Sequence, residues 1–329
     1  MKYDFVGIGD ITTDAFIELK DVDVHTNHGV KELCFRFGEK IAYEEVNEVP
    51  AVGNSANASV SAHRLGLESA LLTNVGDDFN GQVCISALQK EGVSTEFVRI
   101  DPELKTNYHY VLRFGAERTI LVKQYPYKYI LPKFEEDPAW FYFSSIGEHA
   151  VDFHFDVADF VKKHTTKLAF QPGTFQIKLG YKKLKELYEV TDIFFCNKEE
   201  AQYILESDSS DMKELLREMH KRGPKIAMIT DGPNGAFAYD GKRFYSLPMY
   251  PDIAPPVDRT GAGDAFSSTT VAYLAKGMPI EDAMLRGPIN SMSVVQYIGA
   301  QKGLLDEKAI DAYLDSAPDD YKVSIERDI

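Results

Sequence analysis

Val257-Asp258-Arg259-Thr260-Gly261-Ala262-Gly263-Asp264-Ala265-Phe266 runs straight into the helical pattern of residues 267–277. Two glycines flanking an alanine let backbone approach a ligand without side-chain hindrance, and the helix that follows leaves its first N–H groups unpaired. The helix dipole adds roughly half a positive charge at that end, so the stretch reads as a cradle for an anion such as phosphate. Asp264 lies at its mouth. A carboxylate there can take the proton of an attacking hydroxyl while the amides of Gly261, Ala262 and Gly263 hold phosphate oxygens, the division of labour that phosphoryl transfer needs. An ordinary Asp-capped helix fits the same Gly-x-Gly-Asp letters, so the rest of the chain has to decide.

Upstream, short apolar runs at residues 3–9, 71–75, 141–145, 167–170, 193–196 and 225–230 read as buried strands, and helical stretches such as 152–163 separate them. Strands alternating with helices predict an α/β fold with a doubly wound, mostly parallel central sheet and helices on both faces, spanning 1–329 as one domain. Two further pairs alternate as hairpins would: 31–37 with 41–49 around Gly38-Glu39-Lys40, and 107–114 with 119–125 around residues 115–118. They predict a small antiparallel β-sheet from about 15–50 and 105–125, either a lid over a cleft and a homodimer interface or an extension of the main sheet. Residues 236–247 read as a hairpin about Asp240-Gly241, and the chain is expected to finish helical with a polar tail after about Ala317.

Polar residues gather where the strands end: Asp10, Glu148, Asn197, Thr230 and the Asp264 loop. In an open α/β sheet the carboxyl ends of the strands are where ligands bind, which implies one cleft. Asp10 and Asp14 are candidate acceptors for substrate hydroxyls, with a turn cap the plain alternative for Asp10. Gly53 opens a helix of small residues, and the amides of Asn54 and Asn57 near its start could serve a polyhydroxylated ligand or merely cap.

The chain has 329 residues and 36 basic against 51 acidic side chains, a net charge of −15. That balance disfavours nucleic acid or an anionic membrane as partner. Cys34, Cys84 and Cys196 are scattered and odd in number, which suggests neither a disulfide framework nor a thiolate metal site and fits a reducing cytoplasm. The N-terminus shows no stretch of signal-peptide or membrane-spanning length. Gly241-Lys242-Arg243 is the nearest approach to a P-loop and has the wrong third residue. A dinucleotide fingerprint would follow the first strand, whereas Gly261-Ala262-Gly263 comes late and has Phe266 where the third glycine belongs. Metalloprotease and nucleophile-elbow motifs are missing.

Taken together, the residues resemble those of the ribokinase-like carbohydrate kinases, the phosphofructokinase B superfamily, from Val6 to about Gly303. Asp258-x-Thr260-Gly261-Ala262-Gly263-Asp264 carries the resemblance most specifically. It implies that Asp264 is the catalytic base and that Gly261, Ala262 and Gly263 form the anion hole. Asn197 and Glu200 match an Asn-x-x-Glu that organises Mg2+ and phosphate, Glu200 largely through water, and Thr230, Gly232 and Gly235 match a nucleotide-binding Thr-x-Gly-x-x-Gly. Asp10, Asp14, Gly53, Asn54 and Asn57 fall at sugar-binding positions, as Glu148 does in some members. Asp258 matches a position beside which many members hold a monovalent cation, K+ among them. Val52 replaces the first of a usual glycine pair, and Gln171-Pro172-Gly173 stands where Asp- or Asn-Pro is commoner. The resemblance implies an ATP-dependent, Mg2+-requiring sugar kinase. A nucleoside kinase is the alternative, with Phe16, Phe35, Tyr108 and Tyr110 available to stack on a base, and a catalytically silent ligand sensor is a more distant one.

Overall fold

The computed structural model describes residues 2–115 and 117–328; Ala116, in the expected 115–118 turn, lies outside the described residues, as do both terminal residues. Ten strands form the main sheet, in the order Ser324–Arg327, Arg243–Leu247, Ala236–Tyr239, Ile226–Thr230, Ile193–Asn197, Lys167–Phe170, Trp140–Phe143, Phe5–Ile8, Ser69–Gly76, Val98–Asp101. From Ile226–Thr230 onward every neighbouring pair is parallel, and the first three strands are antiparallel additions. The interior strands are buried along their length, as expected where helices cover both faces.

Side-chain alternation splits the core in two. Phe141, Phe143, Phe170 and Phe194 face one helical layer with Tyr188 and Phe153. Tyr142, Phe195, Met228 and Tyr245 face the other with Phe266 and Tyr273. The helix Asn54–Arg64 lies close on the first strand, since a Cβ at Gly7 would stand 2.3 Å from Ser59 Oγ and one at Gly9 2.5 Å from Ser55 Oγ. The small residues of that helix and the two glycines are one packing solution, which brings Asn54 and Asn57 to the sheet's carboxyl edge.

The second sheet has four strands, in the order Tyr43–Val52, Thr12–Leu19, Asn107–Phe114, Glu117–Leu121. It departs from the expectation in two ways. It is mixed, because Thr12–Leu19 runs parallel to Asn107–Phe114. The hairpin expected about Gly38 is absent: Tyr43–Val52 pairs with Thr12–Leu19, while Val30–Cys34 pairs with Asp23–Asn27 in a separate two-stranded hairpin. The cause is local, since His28 and Gly29 both have positive φ, 47° and 82°, the geometry of the favoured two-residue turn. In the main sheet, the polar tail expected after about Ala317 supplies a strand. Ser324–Arg327 pairs with Arg243–Leu247, and Asp328 beyond it accepts from Arg217 Nη2 and from Tyr239 at 2.5 Å each.

Candidate active site

The helix Ala262–Ala275 begins at Gly261, whose φ of 81° is left-handed. A Cβ there would lie 2.3 Å from that of Ala300, so the turn needs glycine twice over, for conformation and for space. Asp258 holds the preceding loop. Its Oδ1 accepts from the amide and hydroxyl of Thr260, at 3.0 and 2.7 Å, and its Oδ2 from the Gly299 amide at 3.0 Å. The first-turn amides of the helix, those of Gly263 and Asp264 among them, have no carbonyl one turn back within the helix and face the cleft described next.

Asp264 is buried at the end of that cleft and held by three amides. Asn54 Nδ2 donates to its Oδ1 at 2.7 Å, Gln171 Nε2 to the same oxygen at 3.2 Å, and Asn57 Nδ2 to Oδ2 at 2.8 Å. Asn54 and Asn57, expected to meet substrate, thus meet Asp264.

A cleft of about 430 Å³ opens above, lined by Asp14, Gly53, Asn54, Asn57, Asn197, Glu200, Thr230, Gly261, Gly263 and Asp264. It adjoins a slot of about 170 Å³ lined by Thr230, Gly232, Gly235, Ala262, Gly263 and the apolar side chains Met249, Phe266, Met292 and Val295. Thr230, Arg259, Gly263 and Phe266 are common to both, so the helix N-terminus stands between the larger cleft and a more apolar slot.

Asn197 and Glu200 close a reciprocal cap, Glu200 N to Asn197 Oδ1 at 2.8 Å and Asn197 N to Glu200 Oε2 at 2.9 Å. Burial pushes the Glu200 carboxyl up from the usual range; the Asn197 amide pulls it back, and Glu199 and Asp264 add to the rise. The other Glu200 oxygen, on a cleft-lining side chain, is a hard donor that suits magnesium, a cation that keeps several waters and takes its remaining ligands from phosphate. Among the described residues no group of three or more His, Cys, Asp or Glu could form a closed metal cage. Asp258, expected beside a monovalent cation, carries donors on both oxygens, and the Arg118 guanidinium stands 3.8 Å from Oδ1.

Two expected residues are placed elsewhere. Asp10 does not line the cleft; Tyr129 donates to its Oδ1 and Gln124 Nε2 to its Oδ2 at 2.8 Å. Burial raises its carboxyl from 3.8 to about 6, against the pull of these donors. Glu148 is exposed in a short 3-10 turn, 3.8 Å from the His149 ring. Of the aromatics expected to stack, only Phe16 lines the cleft. Tyr108 and Tyr110 pack on each other and, by strand alternation, face away from it, and Phe35 is exposed. Conversely, Gln171, His109, Arg118 and Arg259 line the cleft and were not singled out as site residues. Gln171 ends a parallel strand, and His109 pairs in register with Asp14, 3.3 Å from its Oδ1. The first placement is a cue that sequence carries; the second needs the register.

A doubly wound sheet with a helix N-terminus and a buried carboxylate at its carboxyl edge, beside a small second sheet, is the ribokinase-like architecture. The Methanocaldococcus jannaschii nucleoside kinase, an archaeal member of the ribokinase family, superposes with a TM-score of 0.80 at 18% identity, covering 95% of this chain and 98% of that one. Arabidopsis thaliana ribokinase, solved with ribose and ATP, gives 0.78 at 19%, covering 95% and 99%. In sequence, an uncharacterized sugar kinase of Archaeoglobus fulgidus is 28% identical over 248 residues, 73% of this chain and 96% of the relative. The pattern of the pfkB family of carbohydrate kinases matches residues 28–307. The chain belongs to that family and is a phosphotransferase of the carbohydrate-kinase class.

Proposed function

We propose that this kinase transfers the γ-phosphoryl group of ATP to a hydroxyl of a sugar, with Asp264 as general base. The observation that supports the reading is that Gly261, Gly263 and Asp264 line the larger cleft while Ala262 and Gly263 line the adjoining slot. The acceptor would lie among Asp14, Gly53, Asn54 and Asn57. The nucleotide would lie along Thr230, Gly232 and Gly235 with its terminal phosphate on the helix N-terminus. The acceptor oxygen forms a bond to the γ-phosphorus as the bond to the β,γ-bridging oxygen breaks, ADP leaves with that electron pair, and the hydroxyl proton passes to Asp264. Oδ1 already accepts from two amides and Oδ2 from one, so Oδ2 is the oxygen with room for that proton. Glu200, positioned by Asn197, would hold Mg2+ through water, and the bound ion would neutralise phosphate charge.

A nucleoside is the second reading, favoured by the apolar wall that Phe16 and Ile120 give the acceptor chamber. The outer face of the small sheet, where Val46, Tyr110 and Leu121 are exposed, supports a homodimer through it. The test is ADP release with ribose, fructose, their phosphates and common nucleosides as acceptors. Asp264→Asn keeps the shape and removes the base, so turnover should fall at least about a hundredfold. Near-normal turnover would refute the assignment.

A further inference from the structure

Gln171 leaves the strand Lys167–Phe170 with its own amide still bonded to Phe143 O at 2.9 Å, and Pro172, with no N–H, ends the ladder. Its side chain is oriented from behind. Oε1 accepts from the Tyr142 hydroxyl, and Ser267 Oγ stands 3.2 Å from the same oxygen. Tyr142 and Ser267 are themselves 2.6 Å apart. Burial, with Asp264 nearby, holds the Tyr142 phenol far above its ordinary pKa, so it keeps its proton and remains a donor. With Oε1 fixed among hydroxyls, Nε2 is turned to the carboxylate of Asp264 at 3.2 Å. A flipped amide would set oxygen against oxygen.

We infer that Gln171 is a positioning residue for phosphoryl transfer: anchored by Tyr142 and Ser267, its amide fixes Asp264 Oδ1 and orients the carboxylate, leaving Oδ2 to receive the acceptor's proton. This rests on Asp264 being the base. Asn54 and Asn57 come from the helix Asn54–Arg64, whereas Gln171 comes from the end of a central strand. The other charged or titratable groups around Asp264 are Glu200, whose carboxyl feels it, Tyr142 behind it, and Asp14, His109, Arg118 and Arg259 across the cleft.

The test compares Gln171→Met, similar in length but without a donor, with Tyr142→Phe, the double variant and Asp264→Asn, using the acceptor that the intact enzyme turns over fastest. Gln171→Met should lower kcat about tenfold or more, in line with loss of a hydrogen bond to a charged group, with KM for ATP within about twofold. KM for the acceptor should also stay within about twofold, because the Gln171 amide is engaged by Asp264 and its loss is felt in the chemical step. Tyr142→Phe should reproduce part of the loss, and the double variant should fall short of the product of the two, as coupled residues do. An unchanged kcat, a loss carried by the acceptor KM instead of kcat, or full multiplicativity would each overturn the inference. Should Gln171→Met be too unstable to assay, Tyr142→Phe alone decides by the same split between kcat and KM. Asp264→Asn that stays active would sink the base assignment instead, whatever Gln171 does.

Discussion

Asp10 and Asp14, four positions apart on one connection, have opposite surroundings. Asp14 faces the cleft beside His109, and its Oδ1 has no hydrogen-bond donor, whereas Asp10 turns inward to Tyr129 and Gln124. The inward carboxylate has a consequence for stability. Burial raises its pKa from 3.8 to about 6, so between those values the folded chain keeps a proton that the unfolded chain releases. Stability from this group is therefore greatest below the lower value, is lost as pH rises through the window, and is flat above it. Asp10→Asn removes that dependence. Urea midpoints should favour the variant over the parent more at pH 7 than at pH 4, by on the order of 2 kcal/mol. A pH-independent difference would mean that Tyr129 and Gln124 fully offset the burial.

At the scale of elements, the small sheet is joined to the anion-cradle loop by two arginines. Arg113 pairs with Glu18 at 3.4 Å and donates to Val257 O at 3.4 Å; Arg118, opposite Arg113 in the hairpin, reaches Asp258 at 3.8 Å. The Arg118 side chain is over a third exposed, so the pair adds little to stability, and its effect should be on how the sheet sits over the acceptor. Arg118→Ala is expected to leave the melting temperature within about 2 °C while raising KM for the acceptor severalfold and KM for ATP less. Equal changes in both constants would count against this. The hairpin also marks where sequence was legible. Strands that continue a buried sheet, such as Ile193–Asn197 and Ile226–Thr230, announce themselves by apolar runs, and the Gly-x-Gly-Asp helix start by its glycines. Exposed strands 23–34 carry no such pattern. Their pairing was set by the His28-Gly29 turn, while the more visible Gly38 turn joins nothing. Likewise, the fate of Asp10 depends on Tyr129 and Gln124, more than a hundred residues away, which no local spacing reveals.

Across the whole molecule, the two sheets divide the work. The ten-stranded sheet fixes Asp264, Gln171, Asn197 and Thr230 at one edge, and the four-stranded sheet contributes Asp14, His109 and Arg118 to the same cleft. The inner face of the second sheet is thereby occupied, and its outer face is covered in part, where the helix Phe79–Lys90 brings Cys84 to 3.6 Å from Thr13. By strand alternation the outer face carries Val46, Ile17, Leu112, Tyr110 and Leu121, with Val46, Tyr110 and Leu121 between 43% and 52% exposed. A twisted sheet of four short strands with part of one apolar face uncovered is a poor surface to leave in water. A second copy of the same sheet is self-complementary to it under a two-fold axis. Sedimentation at micromolar concentration should therefore find a dimer. Leu121→Lys, which places a charge in the apolar strip on the edge strand Glu117–Leu121 and lies outside the cleft lining, should give monomer, with KM for the acceptor rising as the sheet loses its backing. A parent that sediments as monomer at that concentration would leave the sheet as a cover for the cleft alone. A variant that remains dimeric would move the interface to another face.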